Sequence, residues 1–292
     1  MSNRTVEAVV RPGAPHFVGD GFRVHNFIPG THPLSMRRMD PIIMLDYNSR
    51  HYFPPSEQPR GVGVHPHRGF ETVTIAYKGR VEHHDSSGGG GVIGEGDVQW
   101  MTAASGVLHK EFHEKVWSRE GGDFQMVQLW VNLPAKDKMG KPKYQAIENS
   151  RMPRYFLDGG QGEIEIIAGR YMDLQGSAST FTPLHLYNAK LKKGATALFS
   201  FPRHYNTALL VIEGAITINH DQVAPTDHLV LMANDREDFT VEATADALVL
   251  VLSGEPINEP IAAHGPFVMN TREELLQAFD DFHEGKFGFL ED

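Results

Sequence analysis

The chain of 292 residues is 40% hydrophobic and 22% charged, with a formal net charge of −10 at pH 7. That length holds one large domain or two ordinary ones, and the composition is that of a folded globular protein. The negative balance argues against a surface that tracks nucleic-acid phosphates, the lack of cysteine excludes disulfides and thiolate ligands, and no apolar run approaches the ~20 residues that cross a bilayer.

In chain order, the opening MSNRTVEAVVRPG has no apolar core of a secretory signal, so the expected compartment is the cytoplasm, with no membrane association and no direct nucleic-acid binding. Residues 71–77 (ETVTIAY), 97–102 (DVQWMT) and 124–133 (FQMVQLWVNL) read as strands, being short runs rich in Val, Ile, Thr and aromatics between turn residues. His83 and His84 precede Asp85-Ser86-Ser87 and four glycines, a flexible hairpin connection; no lysine and no helix follow, so it is not a phosphate loop. Residues 134–154 are rich in Lys, Pro and polar side chains and are expected to be a linker between domains at 1–133 and 155–292. Lys136, Lys138, Lys141 and Lys143 within it read as a solvated loop. Further strands are expected at 207–212 (TALLVI), 228–232 (HLVLM) and 247–252 (ALVLVL). Thr271 and Glu274 then form a capping box, Leu275, Leu276, Phe279 and Phe282 recur at helical spacing, and Gly285 offers a stop. The predicted fold class is all-β, two tandem barrels with a short C-terminal helix.

The two barrels are copies of one pattern. Residues 71–83 (ETVTIAYKGRVEH) align with 206–218 (NTALLVIEGAITI), each a strand, a turn ending in glycine and a second strand. Residues 97–111 likewise align with 227–241.

Candidate chemistry sits in the first copy. On a strand, residues i and i+2 share a face, so His65 and His67 can both enter one barrel interior. His109 and Glu111 repeat the spacing, with Lys110 pointing away. Two such strands side by side aim three ring nitrogens and a carboxylate at one point. Imidazole plus carboxylate suits one divalent metal, with Fe, Mn, Co, Ni, Cu and Zn all compatible. Four ligands on a six-coordinate metal leave open positions, the mark of a catalytic site. The competing reading is chance: among 16 histidines a lone His-x-His carries little weight. The repeat supplies a control, because 65 and 67 fall on Ser200 and Pro202, and 109 and 111 on Phe239 and Val241. All four ligands vanish together in the second copy while the strand pattern persists.

The strings at 65–72 (HPHRGFET), 96–102 (GDVQWMT), 106–111 (GVLHKE), 128–133 (QLWVNL) and 254–271 (GEPINEPIAAHGPFVMNT) resemble the pirin family, two-barrel members of the cupin superfamily, over nearly the whole chain. The resemblance implies iron, as Fe(II), on His65, His67, His109 and Glu111, and a metal-free C-terminal barrel. The general cupin motif takes the glutamate after His-x-His, here Glu71. The gap from Glu71 to Gly79 is one residue longer than that motif, and its Asn after the last His is absent. Pirins share both departures, so Glu111 is expected as ligand and Glu71 as a residue orienting a ligand or a water. His113 could face inward by strand parity, and Gln128 could line the pocket or be a satisfied core amide.

The resemblance further implies a quercetinase-like dioxygenase: a flavonol and O2 meet at the metal, Glu111 accepts the hydroxyl proton, and the central ring opens with loss of carbon monoxide. The alternative is a redox-sensing module that binds a protein partner, a transcription factor or a metabolic enzyme. A third reading is a cupin enzyme for another small oxygenated substrate; fold resemblance alone does not choose among them.

Overall fold

The computed structural model describes residues 3–291. Its contacts divide the chain into two units, and neither is continuous in sequence. One, the His-rich unit, gathers Ala14–Gly30, Ile42–Asn149 and the chain from Ile257 onward. The other, the apolar unit, gathers the N-terminal stretch to Gly13, Thr31–Pro41 and Ser150–Pro256.

Both units are built alike, from a seven-stranded and a four-stranded antiparallel sheet. In the His-rich unit the larger sheet runs Lys143–Ile147, Val98–Thr102, Phe70–Lys78, Gly122–Asn132, Ile42–Phe53, Phe22–Ile28, His16–Val18. The smaller runs Gly61–His67, Val107–His113, Val81–Asp85, Gly90–Ile93. Side chains of the two sheets meet in the interior, as a barrel requires. In the apolar unit the smaller sheet is Thr196–Ser200, Asp238–Ala243, Ala215–Ile218 and Gln222–Pro225. Its interior is a closed hydrophobic cluster that includes Phe199, Phe201, Phe239 and Val241. The all-β expectation and the C-terminal helix both hold; the helix is Arg272–His283, and the Thr271–Glu274 capping box is formed.

The boundaries differ from those expected. Strand Val6–Val10 pairs with Leu229–Met232 and so belongs to the apolar unit. The C-terminal helix belongs to the His-rich unit, where Leu275, Phe279 and Phe282 pack around Phe267, Ala278 and Phe287, with Leu108 of the barrel beside them. A buried ion pair, Arg68 to Asp281 at 2.8 Å, ties helix to barrel. The expected linker is largely structured: Lys143–Ile147 pairs with Val98–Thr102. Lys138, read from sequence as solvated, is 1% exposed. Its Nζ donates to Gly69 O at 2.7 Å, Asn132 Oδ1 at 2.6 Å and Val268 O at 3.0 Å. An ammonium leaves water when converging acceptors replace its hydration, which composition alone does not reveal.

Lys138→Ala strips those acceptors of their donor and is expected to cost about 3 kcal/mol in urea unfolding. A loss below about 0.5 kcal/mol, the range of a solvated surface lysine, would contradict the assignment.

Candidate metal centre

The centre begins with one strand pairing. Gly61–His67 runs antiparallel to Val107–His113, with His65 opposite His109 and His67 opposite Val107. The register then slips, so that Glu111 faces Val62 and an extra residue sits on the His-x-His strand. Such a bulge re-aims neighbouring side chains. Here Gly63 O comes to 2.8 Å from His65 Nδ1. Pro266 O lies 3.4 Å from His67 Nδ1. With Nδ1 of each ring turned to a carbonyl, Nδ1 carries the proton and Nε2 keeps its lone pair.

His109 completes the cluster. Ring centroids lie 4.1 Å apart for His65–His109, 4.6 Å for His67–His109 and 4.9 Å for His65–His67. One nitrogen from each ring falls within 4.8 Å of the others. His109 Nε2 is buried without a hydrogen-bond partner. An orphaned imidazole nitrogen among two others that offer lone pairs fits a divalent metal by donor chemistry. Glu111 stands beside this triad, in a second group with His83 and His109.

A polar set holds the Glu111 carboxylate. Gln99 Nε2 donates to Oε1 at 2.7 Å, Thr74 Oγ1 to Oε1 at 3.3 Å and Gln128 Nε2 to Oε2 at 2.8 Å. His83 Nδ1 lies 3.9 Å from Oε1. Burial would raise the Glu111 pKa, but His83 and Gln128 outweigh it and hold the group below the ordinary glutamate value. Burial likewise disfavours protonated His83, yet Asp85 and Glu111 raise its affinity for a proton. Burial first, then repulsion from His65, brings His67 down to about 3. His109 is held well below 6.5 by burial and by His67.

Of the residues expected around the ligands, Gln128 is in place. Glu71 is not. The strand Phe70–Lys78 keeps regular register with Val98–Thr102, so residues 71 and 74 face opposite sides of the sheet. Thr74 faces Glu111, whereas Glu71 accepts from Thr102 Oγ1 at 2.7 Å on the other side. Burial there raises Glu71 to about 7. His113 also lies elsewhere, packed against Phe22, Phe53, Trp117 and Phe124, with Nε2 donating to Gly21 O at 2.8 Å. Its burial lowers its pKa to about 4.

His83, Gln99 and Thr74 escaped the sequence reading, although the repeat contains their signal. Phe239 faces Phe199, as His109 faces His65, which moves the repeat partners of His65 and His67 from Ser200 and Pro202 to Phe199 and Phe201. By the same ladders His83 opposes Glu111 where Ile218 opposes Val241. Thr74 pairs with Gln99 and Gln128, where Leu209 pairs with Val230 and Val251. Three histidines thus answer to three phenylalanines, and every polar group around Glu111 to an aliphatic side chain.

Family profiles match both halves: pirin over residues 21–131 and the pirin C-terminal cupin domain over 186–288. A Pseudomonas aeruginosa protein provisionally named quercetin 2,3-dioxygenase is 47% identical over 93% of this chain and 94% of its own. The chain belongs to the pirin family. A pirin-like protein of Caulobacter vibrioides is 39% identical over 98% of this chain and 100% of its own. A crystal structure named quercetin 2,3-dioxygenase, from Acinetobacter baumannii, superposes with a TM-score of 0.93 at 44% identity, covering 99% of this pirin-family chain and all of the other.

The buried neutral rings make stability pH-dependent. Below 6.5 the unfolded chain binds a proton on each ring, while folded His67 does not until about pH 3 and His113 until about pH 4. Acidification therefore favours the unfolded state, by about 1 kcal/mol per ring per pH unit across that window. Glu71, raised to about 7, opposes this over the same window, so the check is made ring by ring. Imidazole 15N spectra of the metal-free protein at pH 5.5 should show His67 and His113 neutral; a protonated ring at either position would contradict neutral burial.

Proposed function

We propose that this member of the pirin family is a metal-dependent dioxygenase for flavonol-like substrates. The observation that carries the reading is the His65–His67–His109 cluster, with its orphaned nitrogen and with Glu111 beside it. The relatives named quercetin 2,3-dioxygenase supply the substrate class and O2. His65, His67 and His109 would hold one metal, with Glu111 as the fourth ligand, and Fe(II) is the first choice among the divalent ions that such donors accept. When bound, the metal acts as a Lewis acid that lowers the pKa of a substrate hydroxyl.

The side chains around the centre suit that substrate. Trp130 stacks on Phe70 at 4.2 Å and meets His67 edge-on at 5.3 Å, an aromatic wall for one face of a planar ring. Glu111, kept anionic by His83 and Gln128 against its burial, is the nearby proton acceptor. Its lowered pKa makes it a weak base on its own, so it accepts a proton only from a hydroxyl already acidified. Gln99 and Gln128 keep the carboxylate aimed at the imidazole cluster while it changes charge.

Iron-loaded protein should take up oxygen and release carbon monoxide when quercetin is added. Glu111→Ala should lower kcat at least about 100-fold, whereas Glu71→Gln, on the opposite face of the sheet, should stay within about twofold. Bound iron with no oxygen uptake, or turnover indifferent to Glu111→Ala, would refute this function.

A further inference from the structure

Three polar groups, His83, Asp85 and Tyr144, stand behind the cluster. His83 Nδ1 lies 3.4 Å from His109 Nδ1. On the far side of the ring, His83 Nε2 lies 3.6 Å from Asp85 Oδ2, and neither of those two atoms has a hydrogen-bond partner. The other Asp85 oxygen is fully engaged: Oδ1 accepts from Ser87 N at 2.8 Å, Ser87 Oγ at 2.6 Å and Gly89 N at 3.0 Å. Tyr144 stacks on His83 at 5.5 Å with a 17° interplanar angle, closing the outer side. Gly89 is needed for that closure, because a Cβ there would sit 2.3 Å from Asp85 Oδ2 and 2.8 Å from Tyr144. The glycine-rich run thus seats one carboxylate.

We propose that His83 and Asp85 are positioning residues that decide which nitrogen of His109 carries its proton, and so present the Nε2 lone pair to the metal. The inference rests on the metal reading above. A neutral imidazole has one N–H and one lone pair. With a metal on His109 Nε2, its proton is on Nδ1 and points at His83. The metal's charge beside His109 disfavours a second cation, so His83 is neutral in the loaded site. Its Nδ1, 3.9 Å from Glu111 Oε1, accepts from His109; that leaves the His83 proton on Nε2, facing Asp85 Oδ2. Only an acceptor at that last position satisfies the chain, and a carboxylate has nothing but acceptors. The 3.6 Å separation is just outside hydrogen-bond range, and a shift of a few tenths of an ångström closes it.

Asp85→Asn separates this role from simple packing. Three donors converge on the Oδ1 position, so they retain the amide oxygen there and leave the amide nitrogen facing His83. A donor at that point reverses both tautomers and puts a proton on His109 Nε2, where the metal should bind. The same inversion of an imidazole by an Asp-to-Asn change occurs in catalytic triads.

The test titrates wild type, Asp85→Asn and Glu82→Gln with zinc(II) against a competing chelator, and records imidazole 1H–15N spectra of zinc-loaded wild type. Expected are protons on His109 Nδ1 and His83 Nε2, zinc affinity lowered ~10–100-fold by Asp85→Asn, and no change with Glu82→Gln. Zinc affinity of Asp85→Asn within about twofold of wild type would overturn the proposal. So would a proton on His83 Nδ1 in the zinc-loaded wild type, a measurement that decides even if the variant does not fold. Wild type that binds no zinc would instead overturn the metal reading itself.

Discussion

The pairing of Gly61–His67 with Val107–His113 is the constraint on which the centre depends. Antiparallel register places His65 opposite His109, and the pleat then directs His67 and Glu111 to the same interior. A slip of one residue in either strand would turn that strand's two side chains, His65 and His67 or His109 and Glu111, outward together. The bulge between His109 and Glu111 adds a local correction, bringing the Gly63 carbonyl to His65 Nδ1. Ligand geometry is therefore a property of backbone hydrogen bonds before it is one of side chains.

A polar interior of this kind is costly unless every group finds a partner. In the His-rich barrel the Glu111 carboxylate meets that condition, its two oxygens taking donors from three strands of the larger sheet, whereas His109 Nε2 and His83 Nε2 do not. The apolar barrel shows what the same ladders hold without such chemistry: Phe199, Phe201 and Phe239 in mutual ring contact, backed by Leu209, Ile218, Val230, Val241 and Val251 in one core cluster. The two interiors are alternative solutions of one backbone, one filled with aromatic and aliphatic side chains and one kept polar. Concerted exchange at eight ladder positions is hard to reconcile with a structural role for the histidines.

Much of this was legible in the sequence because it is local. Period-two spacing put His65 with His67 and His109 with Glu111 on shared strand faces, as the strand pairing has them, and the capping box found the C-terminal helix. The failures came where the decisive fact is a pairing between distant segments. Alignment by eye placed Ser200 and Pro202 where strand register places Phe199 and Phe201. Motif analogy drew Glu71 towards the centre, although an odd spacing from Thr74 puts it across the sheet. Lys138 looked solvated because its acceptors come from residues 69, 132 and 268. Gln99 and His83 are single polar residues in strands, and only a correctly registered comparison of the two halves exposes them.

The central assignment, one metal on three imidazoles, is tested most directly by locating the ion with anomalous scattering in crystals of metal-loaded protein. A single peak ~2.0–2.2 Å from Nε2 of His65, His67 and His109 is the expected result. A peak held instead by His83, Glu111 and Nδ1 of His109, or density only at surface residues, would contradict it.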